Sequence, residues 1–174
     1  WLRDQGLDEY NIIHIQGVMG SAAQQGRTGA LNDAVESDGW NLVAQQAADW
    51  NAETAQQIVQ SVIDSGEDFN VIYAENDDMA RGAVAALDQA NISHGVDGDV
   101  IIMGFDTNTW ALEELLKGNW NYDGQCNPYQ ASYIDEVIQT IESGGTVEEK
   151  TIYLEEQGFD AETITQEDID NYGI

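Results

Sequence analysis

Six side chains of this sequence could together bind a small polyhydroxylated molecule. They are Arg27, Trp50, Asn76, Phe105, Asp106 and Gln125. Carboxylates and amides hydrogen-bond neighbouring hydroxyl groups in pairs, and an arginine supplies a rigid fork of donors. Aromatic rings cover the apolar C–H faces of such a molecule. We therefore interpret the set as binding chemistry for a small polyol, in which an Arg27–Asp106 pair keeps both charges compensated.

Most of these residues stand at or just beyond the carboxyl end of a predicted strand. In the clearest case the apolar strand Val71–Ala74 leads into Asn76-Asp77-Asp78 and then a helix. Ligands bind at this end of the strands in open parallel sheets. We therefore expect Asn76 to contact a ligand, while Asp77 or Asp78 caps the helix. Arg27 can reach the same edge because helical side chains lean toward the helix N-terminus.

Strands and helices are predicted to alternate along the chain. Apolar, β-prone segments predict strands at residues 11–16, 41–46, 71–74, 99–103, 120–125 and 150–154. Helical spacing predicts helices at about 21–36, 51–63, 77–90, 109–117 and 128–142, and a short capped helix at 165–172. Residues 1–9 resemble the end of a helix, and Asp49 or Asn51 could cap the second full helix. The fold class is therefore α/β, with an open, mainly parallel, doubly wound sheet.

Each candidate residue also has a purely structural alternative. Arg27 could lie on an exposed helix surface, Trp50 could fill the core, and Phe105 could belong to the core or to a cleft. Asn76 and Asp106 stand at turns, where both residue types are common as caps. Their recurrence at the same end of successive strands favours a binding site more than any single residue does.

The net charge argues against several classes of partner. With 33 Asp and Glu residues against 5 Lys and Arg residues, the formal net charge is −28. This charge repels nucleic-acid phosphates and anionic bilayer surfaces, so nucleic-acid binding is not expected. It suits solubility in a crowded or salty exterior. The hydrophobic content of 42% is enough for a core.

Motifs for catalysis, metals and nucleotides are not recognisable. The single cysteine, Cys126, excludes an intramolecular disulfide and a cysteine-based zinc site, and His14 lies in an apolar strand, as packed core histidines do. Gly17-x-x-Gly20 lacks the Gly-Lys-Ser/Thr of a phosphate loop, and no Gly-x-Ser-x-Gly elbow occurs. We therefore predict a binding protein, not an enzyme, with no catalytic residue, no metal ligand and no cofactor.

Four segments give the chain a more specific resemblance. They are residues 16–27 (Gln-Gly-Val-Met-Gly-Ser-Ala-Ala-Gln-Gln-Gly-Arg), 48–50 (Ala-Asp-Trp), 74–82 (Ala-Glu-Asn-Asp-Asp-Met-Ala-Arg-Gly) and 103–106 (Met-Gly-Phe-Asp). From Asn11 to about Leu154, the chain resembles the carboxyl-terminal part of a periplasmic sugar-binding protein of the ribose/galactofuranose type. These proteins are the solute receptors of ABC importers. The resemblance implies sugar contacts for Arg27, Trp50, Asn76 and Asp106, and for Gln125 at the last crossing between lobes.

The resemblance also implies a two-lobed receptor of which this chain, opening at Trp1, holds one lobe. Residues 1–125 are expected to form the carboxyl-terminal lobe without the start of its first helix and strand. Residues 126–150 are expected to pack on the missing lobe, and 151–174 to form a return strand and acidic tail. The apolar segment 128–142 could otherwise favour self-association.

The function implied is delivery of a monosaccharide, a pentose or a furanose-form hexose, to an ABC permease. The parent protein would be periplasmic or extracellular, and membrane-tethered if it is a lipoprotein. The effector domain of a LacI-type transcription regulator shares the fold and is the alternative, and a sugar-acting enzyme is a third interpretation. A helix-turn-helix at a longer amino terminus would identify the regulator, whereas the charge and sparse lysine favour an exported protein.

Overall fold

Strands and helices alternate along the chain, as the hydrophobic periodicity predicts. The computed structural model describes residues 1–148 and 150–174. Its strands are β1 (Asn11–Gln16), β2 (Asn41–Ala47), β3 (Val71–Ala74), β4 (Ile101–Phe105), β5 (Tyr122–Gly124) and β6 (Gly158–Asp160). Its helices are α1 (Ala22–Asp38), α2 (Ala52–Ser65), α3 (Asp77–Ala90), α4 (Thr109–Leu116), α5 (Ala131–Glu142) and α6 (Gln166–Tyr172).

The six strands form one sheet in the order β2-β1-β3-β4-β5-β6. The first five strands are parallel, and β6 runs antiparallel to β5. Parallel strands joined through helices place their carboxyl ends at the same edge of the sheet. The predicted α/β class with a mainly parallel sheet is confirmed, and this carboxyl edge is where the candidate residues must meet.

A hydrophobic core covers each face of the sheet. Successive side chains of a strand point to opposite faces. Ile13 and Ile15 accordingly pack with residues of α2, α3, α4 and α6 on one face. Ile12 packs on the other face with Leu31 of α1 and with a short 3-10 helix, Leu2–Gln5. The sheet is therefore covered by helical structure on both faces.

The predicted strand at residues 150–154 is wrong. Residues 151–157 have no regular secondary structure, and the strand that completes the sheet is β6, in which Phe159 is buried. Because β6 pairs with β5 along its whole length, the side of β5 that β4 leaves free is not available to residues 150–154. Ile152 and Leu154, whose apolar character suggested a strand, line a groove against α5 instead. Glu149, inside the predicted segment 126–150, lies outside the described residues.

Smaller predictions also differ at the ends of elements. The amino terminus forms a 3-10 helix that ends at Gly6 with a φ of 67°, rather than the end of an α-helix. Asn51, and not Asp49, caps α2, because its Oδ1 accepts from the Thr54 amide at 2.8 Å. Helix α5 begins at Ala131 rather than at the proline of residue 128.

Helix α5 contributes to neither core. None of its residues is buried, and Ile134 and Ile141 are 54% and 60% exposed. With the chain at Ile152 and Leu154, it borders a groove of about 310 Å³. Its apolar stripe therefore does not fold back on the sheet. No helix in the described part of the chain is both long enough and apolar enough to span a bilayer.

Gly82→Ala is expected to lower the free energy of unfolding by about 1–3 kcal/mol, the usual cost of forcing an extra carbon into a packed interior. A Cβ at Gly82 would lie 2.0 Å from the main-chain oxygen of Ala52, where α3 packs against α2. Urea unfolding followed by circular dichroism measures the change. Gly29→Ala is the matched control, since a Cβ at this α1 position meets no atom within 4 Å. Gly29→Ala should raise the free energy of unfolding by roughly 0.5–1 kcal/mol. Equal stability of the Gly82 and Gly29 variants would contradict the packing argument.

Candidate functional site

Arg27 lies at the centre of a cluster of candidate residues on the carboxyl edge. It occupies the second turn of α1, and its side chain is only 13% exposed. One guanidinium nitrogen, Nη2, donates to Asp106 Oδ1 at 2.9 Å, and Nη1 donates to the main-chain oxygen of Glu75. The Arg27 side chain thus connects α1 to the ends of both β3 and β4. Arg27 is not the exposed helix residue that one alternative allowed.

Two aromatic rings face the same guanidinium. The Arg27 Cζ atom lies 5.9 Å from the ring centroid of Trp50 and 4.8 Å from that of Phe105. Such cation–π contacts stabilise an arginine whose charge is partly withdrawn from water. Trp50 and Phe105 are both half-buried and pack against the cores, so each combines a packing role with a place in the cluster.

The turn after β2 sets the position of Trp50. Asp49 and Trp50 have φ angles of 52° and 64°, in the left-handed region that side chains other than glycine rarely adopt. The indole lies over the end of β1, where a Cβ at Gly17 would come within 1.9 Å of the ring. Glycine at position 17 therefore makes room for Trp50 at the candidate site.

The turn after β4 sets the position of Asp106 in a similar way. Asp106 and Thr107 have φ angles of 113° and 58°. The Asp106 amide donates to the main-chain oxygen of Gly124 at 2.9 Å, which ties this turn to the end of β5. Burial raises the pKa of Asp106, and the Arg27 guanidinium opposes that shift. Left-handed residues in two of the site turns are the kind of local strain that clusters at functional sites.

Asn76 caps α3, which corrects the prediction that Asp77 or Asp78 does so. Its Oδ1 accepts from the Met79 amide at 2.9 Å. Asn76 Nδ2 donates to none of the described residues, so it remains available to a ligand. The Arg27 bond to the oxygen of Glu75, the residue before Asn76, brings the amide next to the cluster.

Gln125 lies on the same edge but forms no hydrogen bond with Arg27 in the described part of the chain. Its amide donates to the oxygen of Gln157 at 2.8 Å, and its Oε1 accepts from the Gln157 amide at 3.2 Å. These bonds extend the β5–β6 pair beyond the strands. Cys126, which follows Gln125, lies beside Arg27 instead, and burial raises the pKa of its thiol.

Sequence reasoning missed a buried polar network beneath Arg27. Glu75 is fully buried, and its carboxylate accepts from the Gly17 amide at 2.7 Å, from Thr28 Oγ1 and from His14 Nε2 at 3.0 Å. Gln45 Nε2 lies 2.9 Å from His14 Nδ1, so a neutral His14 protonated on Nε2 satisfies both partners. His14 is the packed core histidine that its strand predicted. The signal available was a charged residue, Glu75, directly after a wholly apolar strand.

A second feature that sequence reasoning missed is a pair of buried carboxyl groups, Asp77 and Asp123, under the Asp106 turn. Neither this pair nor the His14–Glu75 pair forms part of a metal site, because the described residues contain no group of three or more His, Cys, Asp or Glu side chains that could hold an ion. A cleft of about 560 Å³ lies at the opposite edge, between the starts of β1 and β2. It contains none of the six predicted site residues.

Comparison with known proteins agrees with this architecture. The model of the periplasmic binding protein domain family matches residues 1–145. The ribose import binding protein RbsB of Escherichia coli (strain K12) is 33% identical over 95 residues, which cover 55% of this chain and 30% of that protein. The fructose import binding protein FruE of Bifidobacterium longum (strain NCC 2705) is 29% identical over 166 residues, covering 94% and 49% of the two chains.

A solved structure shows the same fold. It is the periplasmic binding protein component of the arabinose ABC transporter from Shewanella sp. ANA-3, bound to α- and β-L-arabinofuranose. The TM-score is 0.85 at 22% identity, and the match covers 94% of this chain and 54% of that one. The chain thus spans between about a third and a half of the curated relatives it matches. The resemblance seen in the sequence is confirmed, and the chain belongs to the periplasmic binding protein domain family.

Proposed function

We propose that this chain is one lobe of an exported receptor that binds a monosaccharide and delivers it to an ABC importer. The observation that carries the proposal is the convergence of Arg27, Asp106, Trp50 and Phe105 at the carboxyl edge of the sheet. The parent protein would act in the periplasm or outside the cell, tethered to the membrane if it is a lipoprotein. The net charge of −28 suits an exported protein.

The cluster has unused hydrogen-bonding capacity suited to sugar hydroxyls. Arg27 carries five N–H donors and uses only some of them on Asp106 and Glu75. Asp106 Oδ2 accepts from no described residue, and Asn76 Nδ2 donates to none. The nearby rings of Trp50 and Phe105 offer faces for the ligand's C–H groups. Gln125 would add the two N–H donors of its Nε2 at the end of β5, since the bonds to Gln157 use only its main-chain amide and Oε1.

The names of the similar proteins support a sugar rather than another polyol. Two are import binding proteins for ribose and for fructose, and the solved structure holds the furanose form of arabinose. None of these names describes an enzyme. We therefore propose a pentose or a furanose-form hexose as ligand, bound without metal or other cofactor and without catalysis.

We propose that α5 contacts the second lobe of the intact receptor. Its exposed face carries Ile134, Ile138 and Ile141, and the adjoining groove is lined mainly by apolar side chains. Exposed apolar patches of this kind mark interaction sites. In the isolated chain the same face, within residues 128–142, would favour self-association. The division into residues 1–125, 126–150 and 151–174 is proposed on the same basis.

The 174-residue chain is expected to bind monosaccharides with millimolar or weaker affinity. Its half-site is open to water, where each hydrogen bond contributes only about 0.5–1.5 kcal/mol. Amide NMR titrations with D-ribose, L-arabinose and D-galactose measure this, at protein concentrations where sedimentation shows a monomer. Signals near Arg27, Asn76 and Asp106 should shift. Micromolar binding by the monomer would contradict the half-site argument, and binding elsewhere, or of no sugar, would contradict the proposed function.

A further inference from the structure

Two buried carboxyl groups hold the turn that carries Asp106. Asp77 is the first residue of α3, Asp123 is the middle residue of β5, and both are fully buried. Asp77 Oδ2 accepts from the Asn108 amide at 2.8 Å and from Asn108 Nδ2 at 3.0 Å. Asp123 Oδ1 accepts from the Thr107 amide at 3.3 Å. The two carboxyl groups thus bind the two residues that follow Asp106.

Each carboxyl group keeps one oxygen that no N–H or other donor in the described residues reaches. These oxygens are Asp77 Oδ1 and Asp123 Oδ2, and both are buried. The two carboxyl groups are neighbours, and each affects the titration of the other. Two carboxylate oxygens cannot bond without a proton between them, because both are acceptors only. A shared proton therefore satisfies both buried oxygens at once.

The fold keeps space for this pair. A Cβ at Gly104, in the middle of β4, would lie 2.7 Å from Asp77 Oδ1 and 2.9 Å from the Trp120 ring. Any side chain at residue 104 would therefore displace Asp77 or the indole. We propose that Asp77 and Asp123 share a proton and act as positioning residues that hold the 106–108 turn, so that Asp106 points at Arg27. The effect of this shared proton on sugar affinity rests on the proposed function.

The surrounding charges support retention of the proton near neutral pH. Burial raises the pKa of Asp77 to about 7. Burial, and then the neighbouring Asp77 carboxylate, raise the pKa of Asp123 well above its usual range. Asp106 faces both groups from the turn and raises both values further, and Arg27 compensates its charge. Tyr122 precedes Asp123 in β5, and burial, followed by the Asp123 charge, raises the pKa of its phenol.

The direction of the pH effect follows from these shifts. A carboxyl group with a raised folded-state pKa binds more protons in the native than in the unfolded protein. Its stabilisation is complete below the unfolded pKa of about 3.9 and is lost as pH rises through the folded pKa, which for Asp77 is about 7. Loss of the last shared proton would place two repelling charges under the turn. The hold on Thr107 and Asn108 should then loosen.

An NMR pH titration of the 174-residue chain tests the inference without any ligand. The side-chain carboxyl carbons of Asp77 and Asp123 and the amides of Thr107 and Asn108 are followed together. We expect the amide signals to shift with the same midpoints as the carboxyl carbons, above the usual aspartate range. Amides that do not follow the carboxyl carbons, or carboxyl carbons that titrate near 3.9, would overturn the inference.

Variants separate the shared proton from simple packing. In Asp123→Asn the new amide can donate to Asp77 as the shared proton does, so the turn signals should stay near their neutral-pH positions at all higher pH values. Asp123→Ala removes the bond and should displace the signals at every pH. Asp33→Asn, on the exposed surface of α1, is the charge-matched control and should titrate like the parent. Equal displacement by the Asn and Ala variants would overturn the inference.

Sugar affinity gives the functional readout, with D-ribose, L-arabinose and D-galactose as probes. Parent affinity should decline as rising pH removes the last proton from the pair, while Asp123→Asn keeps a flat profile. Asp123→Ala should bind about tenfold more weakly throughout, equivalent to about 1.4 kcal/mol. If no sugar binds but the turn titrates with the pair, the proposed function fails and the positioning role stands. A pH-independent parent affinity, where a sugar does bind, would overturn the link from the pair to the ligand.

Discussion

Asp106→Ala is expected to weaken monosaccharide binding by the intact receptor by about 2–5 kcal/mol. Arg27 is 13% exposed and depends on Asp106 for its only charged partner among the described residues. Without that carboxylate, the guanidinium keeps the main-chain oxygen of Glu75 and the two rings, none of which carries a negative charge. On the proposed function, the variant therefore loses a ligand acceptor and leaves a largely buried cation without its charged partner.

Isothermal titration calorimetry of the full-length parent protein measures this effect. Asp38→Ala is the matched control, since Asp38 also pairs with an arginine, Arg3, but at the opposite edge of the sheet. The control should bind sugar with the parent affinity. A dissociation constant unchanged by Asp106→Ala would remove this residue from the site.

Glu75→Ala is expected to lower the free energy of unfolding by about 3–5 kcal/mol. Three buried donors, on Gly17, Thr28 and His14, lose their acceptor together. Each buried donor left unsatisfied costs about 1–3 kcal/mol, and water entering the space left by the side chain offsets part of the sum. The lost bonds join Glu75 to β1 and α1, so the effect should reach Arg27, which is the neighbour of Thr28 in that helix.

Urea unfolding gives the stability, and the indole N–H signal of Trp50 in NMR spectra, assigned among the five tryptophans, reports the surroundings of that ring. Glu67→Ala, in the exposed loop before β3, removes a carboxylate of the same size and should leave the unfolding free energy unchanged. Stability of Glu75→Ala close to that of this control would mean that the buried network contributes nothing net.

Much of the fold could be predicted because its signals are local. Apolar strands followed by helical periodicity fix the first five β-α units, and parallel strands bring their ends together without further information. That is why Arg27, Trp50, Phe105 and Asp106 could be placed at one edge from residue type and position alone. The contacts among them agree with that placement.

The features of the fold and site that could not be predicted depend on contacts between segments far apart in the sequence. The stretch at residues 150–154 is as β-prone as a strand, but β6 takes the only edge of β5, and local propensity does not show that competition. The positions of Glu75 after β3 and of Asp123 in β5 could be predicted. Their hydrogen-bond partners could not, because those partners lie on other elements. The cap of α3 was misassigned since Asn76, Asp77 and Asp78 are equally suitable by type, and Asp77 is used by Asn108 instead.

The paired bonds between Gln125 and Gln157 have a mechanical consequence. They close the base of the excursion formed by residues 126–156, whose helix α5 contributes no buried side chain to the sheet domain. A force applied to α5 therefore reaches the sheet mainly through this base, one residue beyond the end of β5. A rotation of α5 about this base would leave the register of the five parallel strands unchanged. Movement of whatever α5 contacts would thus be delivered to the edge where Arg27 and Asp106 meet.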